Sequence, residues 1–180
     1  HDRTDPQKMR DYFGKIHESG RSLLDLLNDL LDLAKLEVGR MTFQFRSGCL
    51  ADQVTLAADE FQSLAAERHL EIRIDADQAA DDLEFDPERI RQVLRNLLAN
   101  AIKFSPPGGR IEIAIEPTDD GAQVSVRDQG PGIPEEELEA IFDSFVQSSQ
   151  TPSHVQGTGL GLAICREIVA AHHGRIWAEN

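Results

Sequence analysis

The sequence predicts an α+β fold, a two-layer sandwich in which helices cover one mixed β-sheet, preceded by one long bundle-forming helix. Two observations support this prediction. Apolar residues recur at three- and four-residue spacing as far as Glu37, the pattern of a helix bundle. Beyond Gly39, helical patterns alternate with short stretches in which every second residue is apolar, as in a sheet packed against helices. We therefore expect two segments, at residues 1–39 and 40–180.

The composition is that of a folded, acidic protein. The chain has 180 residues, of which 40% are hydrophobic, and a net charge of −14. This charge argues against a nucleic-acid partner, because proteins that bind nucleic acids need a basic surface to neutralise phosphates. Two cysteines in a chain of this length suggest a reducing compartment, and no apolar run approaches the length of a membrane span. We expect a cytoplasmic location and no direct membrane contact by this chain, although its parent protein can be membrane-anchored.

The first element is a long helix that begins at Pro6 and ends near Gly39, because proline favours a first helical turn and glycine a helix end. Further leucines beside the apolar seam widen it, which favours a four-helix bundle over a two-stranded coil. One helix cannot bury this face alone, so we expect it to need partner helices that this chain does not supply. The seam consists of Met9, Phe13, Ile16, Gly20, Leu23, Leu27, Leu30 and Ala34.

The later elements follow from alternation, capping residues and turns. The clearest start is Asp86-Pro87, an N-cap followed by proline at the first helical position. Helices are predicted over Leu50–Ala66, Pro87–Ser105, Pro134–Phe142 and Gly159–His173. Strands are predicted over Met41–Phe45, Leu70–Ile74, Leu83–Phe85, Arg110–Glu116, Ala122–Asp128 and Arg175–Ala178. An acidic loop is expected over Asp75–Asp82, and a mobile Ser/Gln-rich segment over Val146–Gln156.

The helix after Pro87 has an amide-rich stripe beside its apolar face. At 100° per residue, Asn96, Asn100 and Lys103 align on one side of this helix. A solvated polar face is the ordinary interpretation of such a stripe. Amide oxygens also suit Mg²⁺, however, and a lysine supplies a point charge for phosphate. The stripe is therefore a candidate site for a metal-bound phosphate.

Two glycine-rich motifs follow this helix. In Asp128-Gln-Gly130-Pro-Gly132, a carboxylate at a strand end precedes a turn, where it can accept a hydrogen bond from the exocyclic amine of adenine. A turn-forming aspartate would explain the same residues. Gly157-Thr-Gly159-Leu-Gly161 opens a helix, so its backbone N–H groups would face phosphates. In this order, the three motifs predict a pocket for a metal-bound nucleoside triphosphate.

With these motifs in this order, the chain resembles the sensor histidine kinases of two-component systems. Asn96–Lys103 resembles the family's N box, Asp128–Gly132 its G1 box and Gly157–Gly161 its G2 box. Phe142 and Phe145 resemble its F box. The resemblance covers nearly the whole chain, and the ordered set of boxes is specific to the family.

The resemblance implies a role for each of these residues. Asn100 would bind Mg²⁺, Asp128 would bind adenine, and Lys103 and the glycine loop would hold the phosphates of ATP. Asn96 and Lys103 would be the catalytic residues, and residues 146–158 the ATP lid. The implied nucleotide-binding set is Asn96, Asn100, Lys103, Asp128, Gly130, Gly132, Phe142, Phe145, Gly157, Thr158, Gly159, Leu160 and Gly161.

The resemblance also implies a division of the chain. Leu23–Gly39 resembles the second helix of the family's dimerisation and phosphotransfer hairpin, so residues 1–39 would be part of a four-helix bundle. The resemblance thus implies a homodimer through the N-terminal helix when the full hairpin is present. Residues 40–180 would be the catalytic ATP-binding domain, with its C-terminal strand clipped. The family's phosphoacceptor box does not occur in this sequence: His17 precedes a glutamate but lacks the following proline. His172 and His173 precede Gly174, where a helix C-terminus favours histidine.

The predicted lid differs from the family pattern. No lysine or arginine occurs from Ile141 to Cys165, although family lids commonly place a cation near the γ-phosphate. His154 is the only candidate inside the lid, and Arg166 the nearest substitute. We therefore expect weak closure of the lid over ATP.

Position 96 favours one function over another. Relatives such as the gyrase and chaperone ATPases have a glutamate there that activates water, and Asn96 cannot accept a proton. Phosphoryl transfer needs mainly positioning and charge neutralisation. We predict the ATP-binding part of a protein-histidine kinase, which donates the γ-phosphate of Mg-ATP to a histidine absent from this chain, for relay to a response regulator or receiver domain.

This chain alone is not expected to autophosphorylate. One alternative is a nucleotide-binding regulatory or dimerisation module with little or no kinase activity. Another is a serine kinase of the anti-sigma type, which the long N-terminal helix makes the least favoured.

Overall fold

The structure, a computed structural model, describes residues 6–76, 82–151 and 157–180. The chain divides into two compact units, His1–Met41 and Thr42–Asn180. Most of the predicted acidic loop, and residues 152–156 of the predicted lid with His154, lie outside the described residues. In the part of the chain that is described, no helix combines the length and the apolarity needed to cross a membrane.

The first unit contains helix α1, Pro6–Glu37, which confirms the predicted long helix. The chain leaves the helix at Gly39, whose φ of 62° lies in the left-handed region that glycine adopts readily. The apolar seam of α1 is largely exposed to solvent, as the sequence pattern predicts for a helix that needs partners. Its exposed large apolar side chains are Met9, Tyr12, Phe13, Ile16, Leu23, Leu24, Leu26, Leu27, Leu30 and Leu31.

The second unit contains a mixed sheet and a smaller antiparallel pair of strands. In chain order its elements are β1 Arg46–Gly48, α2 Leu50–Glu67, β2 Glu71–Ala76, β3 Leu83–Phe85, α3 Pro87–Phe104, β4 Arg110–Thr118, β5 Gly121–Arg127 and α4 Gly161–Ala171. Strand β4 is central, parallel to β2 and antiparallel to β5, whereas β1 pairs with β3. This mixed sheet with its helices confirms the predicted α+β fold.

The core of the second unit lies between the mixed sheet and helices α2 and α3. Alternate residues of β4 are fully buried, because side chains two apart point to the same face of a strand. Burying each of these side chains contributes about 1.5–3 kcal/mol. The main core residues are Val54, Ala57, Ala58, Leu94, Leu98, Ala101, Ile102, Ile111, Ile113 and Ile115. Because one face of α3 is held in this core, the amide-rich stripe of the same helix has a defined orientation.

Helix α3 begins as Asp86-Pro87 predicts. Asp86 is only 4% exposed. One of its carboxylate oxygens accepts hydrogen bonds from the N–H groups of Glu88 and Arg89, at 3.0 and 3.2 Å. The other oxygen accepts from the N–H of Gln44 at 2.8 Å. The backbone N–H of Asp86 donates to Nε2 of His172 at 3.0 Å. A single buried carboxylate therefore joins the start of α3 to the segment before β1.

The adjacent histidines His172 and His173 lie at the C-terminal end of α4. Nδ1 of His172 lies 2.8 Å from the carbonyl oxygen of Ile168, so its ring satisfies a carbonyl of the last helical turn, as predicted for this position. His173 has a φ of 59° and Gly174 donates its N–H to Val169, the hydrogen-bond pattern of a left-handed helix end.

The predicted strand Met41–Phe45 is wrong, because the extended residues of this region that enter a sheet are those of β1. The N–H of Gln44 is bound by the Asp86 carboxylate instead of a neighbouring strand. The rings of Phe43 and Phe45 pack on His172, with centroid distances of 5.6 and 4.9 Å. These side-chain contacts between distant residues replace the expected strand pairing.

Three other predicted elements also differ. The predicted helix Pro134–Phe142 is two 3₁₀ turns, Glu135–Glu137 and Ala140–Phe142. Helix α4 begins two residues after Gly159, because the φ of 70° at this glycine is incompatible with a right-handed helix. Arg175–Ala178 forms no ladder with any strand among the described residues, and an extended segment is a strand only when it has a partner.

Candidate nucleotide site

The amide-rich stripe of α3 contacts the glycine loop at the start of α4. Nδ2 of Asn96 donates a hydrogen bond of 3.1 Å to the carbonyl oxygen of Gly161. A Cβ on Gly161 would lie 3.5 Å from Cγ of Asn96, so the loop backbone and the amide are in close contact. The structure therefore brings together two motifs that are 65 residues apart in the sequence.

Asn100, one turn further along α3, is half-buried on the same stripe. Within the described part of the chain, its side-chain amide makes no hydrogen bond. A half-buried amide without a partner is costly unless a ligand or water satisfies it. Its carbonyl oxygen is therefore available to a hard cation such as Mg²⁺.

Lys103 lies at the C-terminal end of the stripe and faces the other end of the glycine loop. Its Nζ is 2.8 Å from the position that a Cβ on Gly157 would occupy, so only glycine permits this approach without a shift. Burial lowers the pKa of Lys103, because the partly desolvated ammonium loses hydration. A phosphate placed beside it would restore favourable interactions to the charged form.

The glycine loop has a conformation that depends on close backbone packing. Gly159 has a φ of 70°, and a Cβ there would lie 2.7 Å from the carbonyl carbon of Phe145. The N–H of Phe145 donates to the carbonyl oxygen of Gly159 at 2.9 Å. Oγ1 of Thr158 accepts the N–H of Leu160 at 3.1 Å, whereas no side chain of the described residues caps the N-terminus of α4. The first turn of this helix therefore has N–H groups to offer an anion.

Asp128 follows β5 and is exposed. Its Oδ1 accepts the N–H of Gly130 at 2.7 Å, which is the turn-forming contact that the sequence allowed. Its Oδ2 makes no hydrogen bond or ion pair within the described residues. A Cβ on Gly130 would lie 3.1 Å from the carbonyl oxygen of Phe104, so this turn packs against the end of α3. The structure therefore brings the second motif to the same helix as the first and third.

The end of this turn is held by a residue that sequence reasoning missed. Asn180 donates its Nδ2 to the carbonyl oxygen of Ile133 at 2.7 Å and accepts the N–H of the same residue on Oδ1 at 2.9 Å. Gly132, with a φ of 76°, leaves room for this amide: a Cβ there would lie 2.8 Å from Oδ1. No local pattern identifies Asn180, because its contact lies 47 residues away in the sequence.

The two predicted phenylalanines occupy different environments. Phe142 is buried, whereas Phe145 is 64% exposed and has a φ of 67°, which is unusual for a residue with a side chain. Between them, Asp143 accepts a hydrogen bond from Arg166 at 2.9 Å. Arg166, the substitute cation predicted from the sequence, therefore pairs with a carboxylate of the segment that contains these phenylalanines.

The segment after Phe145 is anchored at its start by Glu137, which sequence reasoning also missed. The carboxylate of Glu137 accepts the hydroxyl of Ser148 at 2.6 Å and the N–H of Ser149 at 3.0 Å. These hydrogen bonds lower the pKa of Glu137, because they favour its ionised form. Nε2 of Gln147 donates to the carbonyl oxygen of Gly157 at 2.5 Å and joins the two described ends of the predicted lid.

A family model described as "Histidine kinase-, DNA gyrase B-, and HSP90-like ATPase" matches residues 85–180. Among curated proteins, the circadian input-output histidine kinase CikA of Synechococcus elongatus is 36% identical over 177 residues. That match covers 97% of this chain and 24% of the relative, so the chain spans about a quarter of that relative's length.

Two solved structures are similar to this chain in fold. The crystal structure of full-length ShkA in complex with AMPPNP has a TM-score of 0.83 and 30% identity, covering 96% of this chain and 36% of that one. Histidine kinase ThkA in complex with the response regulator protein TrrA has a TM-score of 0.77 and 29% identity, covering 98% of this chain and 48% of that one.

Proposed function

Because the chain belongs to the histidine kinase-, DNA gyrase B- and HSP90-like ATPase family, we propose that it is the ATP-binding catalytic part of a two-component sensor histidine kinase. One observation carries this proposal: all three glycine- and amide-rich motifs meet along one side of α3. Asn96 contacts Gly161, Lys103 approaches Gly157, and Phe104 packs against Gly130. Residues 40–180 are then the catalytic domain, and residues 1–39 the second helix of a bundle.

The residues present fit a magnesium-bound adenine nucleotide. Asn100 offers an amide oxygen that no described residue satisfies, and Oδ2 of Asp128 offers a hydrogen-bond acceptor for the amine of adenine. Lys103 provides a positive charge beside the glycine loop. When bound, Mg²⁺ would neutralise charge on the phosphates of ATP. The side chains and backbone of this chain would bind and orient the nucleotide.

The glycine loop would orient the phosphates. Its N–H groups lie at the start of α4, which no described side chain caps and where the helix dipole favours an anion. Any side chain at Gly157 would fill the space beside the Lys103 ammonium. The loop and the lysine together would fix the position of the γ-phosphate, and positioning is most of what phosphoryl transfer requires.

Asn96 favours transfer over hydrolysis. Its Nδ2 is committed to the Gly161 carbonyl, and a carboxamide has no useful basicity with which to take a proton from water. The site therefore lacks, at this position, the group that would make water the acceptor. An imidazole nitrogen of a histidine is a nucleophile that needs no such base.

The acceptor histidine and the partner are also part of the proposal. No histidine of this sequence stands in the phosphoacceptor box of the family, so we propose that the acceptor histidine belongs to a segment or protein other than this chain. The exposed apolar seam of α1 supports a homodimer through a four-helix bundle. The ThkA relative forms a complex with a response regulator, and we propose a response regulator or receiver domain as the final acceptor of the phosphate.

The test is a transfer assay with two components. The chain is incubated with Mg-ATP labelled at the γ-phosphate, with and without a separate hairpin that contains the family's histidine box. We expect no labelling of the chain alone, and acid-labile phosphate on the hairpin when both are present. Acid-labile phosphate on His17 would contradict the proposal. Binding of ATP without transfer to any hairpin would leave a regulatory nucleotide-binding module instead.

Two variants connect the assay to the site. Asn100→Ala should weaken the dependence of ATP binding on Mg²⁺, whereas Asn28→Ala, an exposed asparagine of α1, should not change ATP binding. Asp128→Asn should reduce ATP affinity about tenfold or more, because a charged hydrogen bond to the base contributes about 1.5–3 kcal/mol.

A further inference from the structure

We propose that Asn180 is a positioning residue of the base-binding turn, which sets the orientation of Asp128 through the backbone of residues 130–133. The inference rests on the proposed function, since it assumes that Asp128 receives the base. It concerns a residue outside the glycine motifs and outside the predicted set of nucleotide ligands.

The contact between Asn180 and the turn is bidentate. Its carboxamide donates to the carbonyl oxygen of Ile133 at 2.7 Å and accepts the N–H of Ile133 at 2.9 Å. Two hydrogen bonds to one residue fix the distance and the rotation of that residue, as the paired bonds of an antiparallel ladder do. A side chain with only a donor or only an acceptor cannot make both bonds.

The turn is shaped to receive this side chain. Gly132 has a φ of 76°, and the space where its Cβ would lie is taken by Oδ1 of Asn180, 2.8 Å away. The same turn is tied at its other end, where the N–H of Gly130 donates to Oδ1 of Asp128 at 2.7 Å. The short segment from Asp128 to Ile133 is therefore held by one side-chain contact at each end.

This arrangement links Asn180 to the recognition of the base. Oδ1 of Asp128 is committed to the turn, so the position of Gly130 determines where the unpaired Oδ2 points. If Ile133 is released, Gly132 and Gly130 can move, because glycine has few conformational restrictions. The carboxylate then rotates with the turn, and its hydrogen bond to an exocyclic amine is misaligned. Selectivity for adenine over guanine depends on that alignment.

Two variants of Asn180 test the proposal in the chain as it stands. Asn180→Ala removes both hydrogen bonds. Asn180→Asp keeps an acceptor for the N–H of Ile133 but places a second oxygen against its carbonyl. Glu179→Gln, an exposed neighbour, is the control for a change at this end of the chain.

The measurements are dissociation constants for ATP, GTP and inorganic triphosphate. We expect Asn180→Ala, which loses both hydrogen bonds, to weaken ATP binding about fivefold. Asn180→Asp should weaken it about tenfold, because it also opposes two oxygen acceptors. The ATP-to-GTP preference should fall by a similar factor, whereas inorganic triphosphate, which lacks a base, should bind as in the parent chain. If Asn180 has only a structural role, its substitution should weaken the binding of all three ligands by similar factors.

A second measurement separates positioning from loss of folding. In the Asp128→Asn background, Asn180→Asp should cause no further loss of ATP-to-GTP preference, because its effect acts through Asp128. Independent, multiplying losses would overturn the proposal, as would an unchanged ATP affinity in Asn180→Asp. If the parent chain fails to bind ATP at all, the proposed function fails, and that result is distinct from either outcome for Asn180.

Discussion

The side-chain amide of Asn96 donates a hydrogen bond of 3.1 Å to the carbonyl oxygen of Gly161. This contact joins the middle of α3 to the first residue of α4. It uses the donor end of the amide and leaves no basic group at this point of the site. The same residue therefore stabilises the junction of two helices, and in the proposed function it would leave water without a base to activate it.

The hydrogen bond between Asn96 and Gly161 predicts that Asn96→Asp, which replaces one nitrogen with oxygen, destabilises the fold. Asn96→Asp replaces the donor with an oxygen that faces the Gly161 carbonyl, so the hydrogen bond is lost and two acceptors are opposed. We expect the free energy of unfolding, measured with urea, to fall by about 1–3 kcal/mol. Arg95→Ala, at the neighbouring residue, breaks only a surface ion pair with Glu60. It should change the free energy of unfolding by less than about 1 kcal/mol. Equal effects of the two variants would contradict this assignment.

Gly159 of the glycine loop and Gly108, in the turn between α3 and β4, form a matched pair for glycine substitution. Gly108 and Gly159 have φ values of 79° and 70°, so alanine is strained at both. No atom in the described part of the chain lies within 4 Å of a Cβ on Gly108, whereas a Cβ on Gly159 would lie 2.7 Å from the backbone of Phe145. We expect Gly108→Ala to cost about 1 kcal/mol, and Gly159→Ala about 1–3 kcal/mol more and most of the nucleotide affinity.

The measurement is thermal or urea unfolding together with ATP titration. Gly108→Ala controls for backbone strain, because only the contact differs between the two sites. If Gly159→Ala is no more destabilising than Gly108→Ala, the close packing between Gly159 and Phe145 does not constrain the loop.

Lys103 predicts a pH dependence of nucleotide binding. Burial lowers its pKa below the ordinary value of 10.5, so the ammonium loses its proton at a lower pH than an exposed lysine does. Phosphate binding favours the charged form, so ATP affinity should fall as the pH rises through this lowered pKa. The loss should reach about tenfold, as for one charged hydrogen bond.

Isothermal titration with ATP from neutral to alkaline pH measures this dependence. Lys103→Arg keeps its charge throughout that range, so its ATP affinity should stay constant. Adenosine, which has no phosphate, should bind the parent chain equally well across the range. A parent chain whose ATP affinity is as constant as that of Lys103→Arg would exclude a contact between Lys103 and the phosphates.

The hydrogen bonds of Glu137 predict that this residue anchors the start of the lid. Its carboxylate accepts hydrogen bonds from Ser148 and from the N–H of Ser149, and these bonds lower its pKa. The anchor is therefore present at neutral pH and is lost as the pH falls through the lowered pKa. In Glu137→Gln the charge is absent at every pH, so the Ser149 amide should exchange with solvent several-fold faster.

Hydrogen exchange followed by NMR reports on this amide directly. Glu136→Gln, a change of the same type at the neighbouring residue, should leave the exchange of the Ser149 amide unchanged. Equal acceleration in both variants would mean that the charge of this acidic turn, and not the Glu137 hydrogen bonds, protects the lid.

The predictions that rest on local chemistry are confirmed by the structure. Helix α3 begins at Pro87 because Asp86 can cap its N–H groups, and that capacity depends on two or three adjacent residues. Gly132 has a positive φ, which fits the turn predicted from its motif. The α+β fold also follows from the sequence, because the periods of helices and strands differ along the chain.

The predicted strand Met41–Phe45 shows where local patterns are insufficient. Its alternation is real, but a strand needs a partner, and the partner of Gln44 is the carboxylate of Asp86, 42 residues away. The 3₁₀ turns at 135–142 show the same limit. The conformation of Met41–Phe45 therefore depends on contacts that the rest of the fold provides.

The sequence by itself determined the chemical groups of this site and their order, because amides, a lysine, a carboxylate and glycines have properties that belong to the residues. Only the tertiary structure decided which groups meet. It placed Asn96 against Gly161, and it brought Asn180 to Ile133 and Glu137 to Ser149. These pairs depend on the path of the backbone through the core, and no periodicity of a short segment encodes that path.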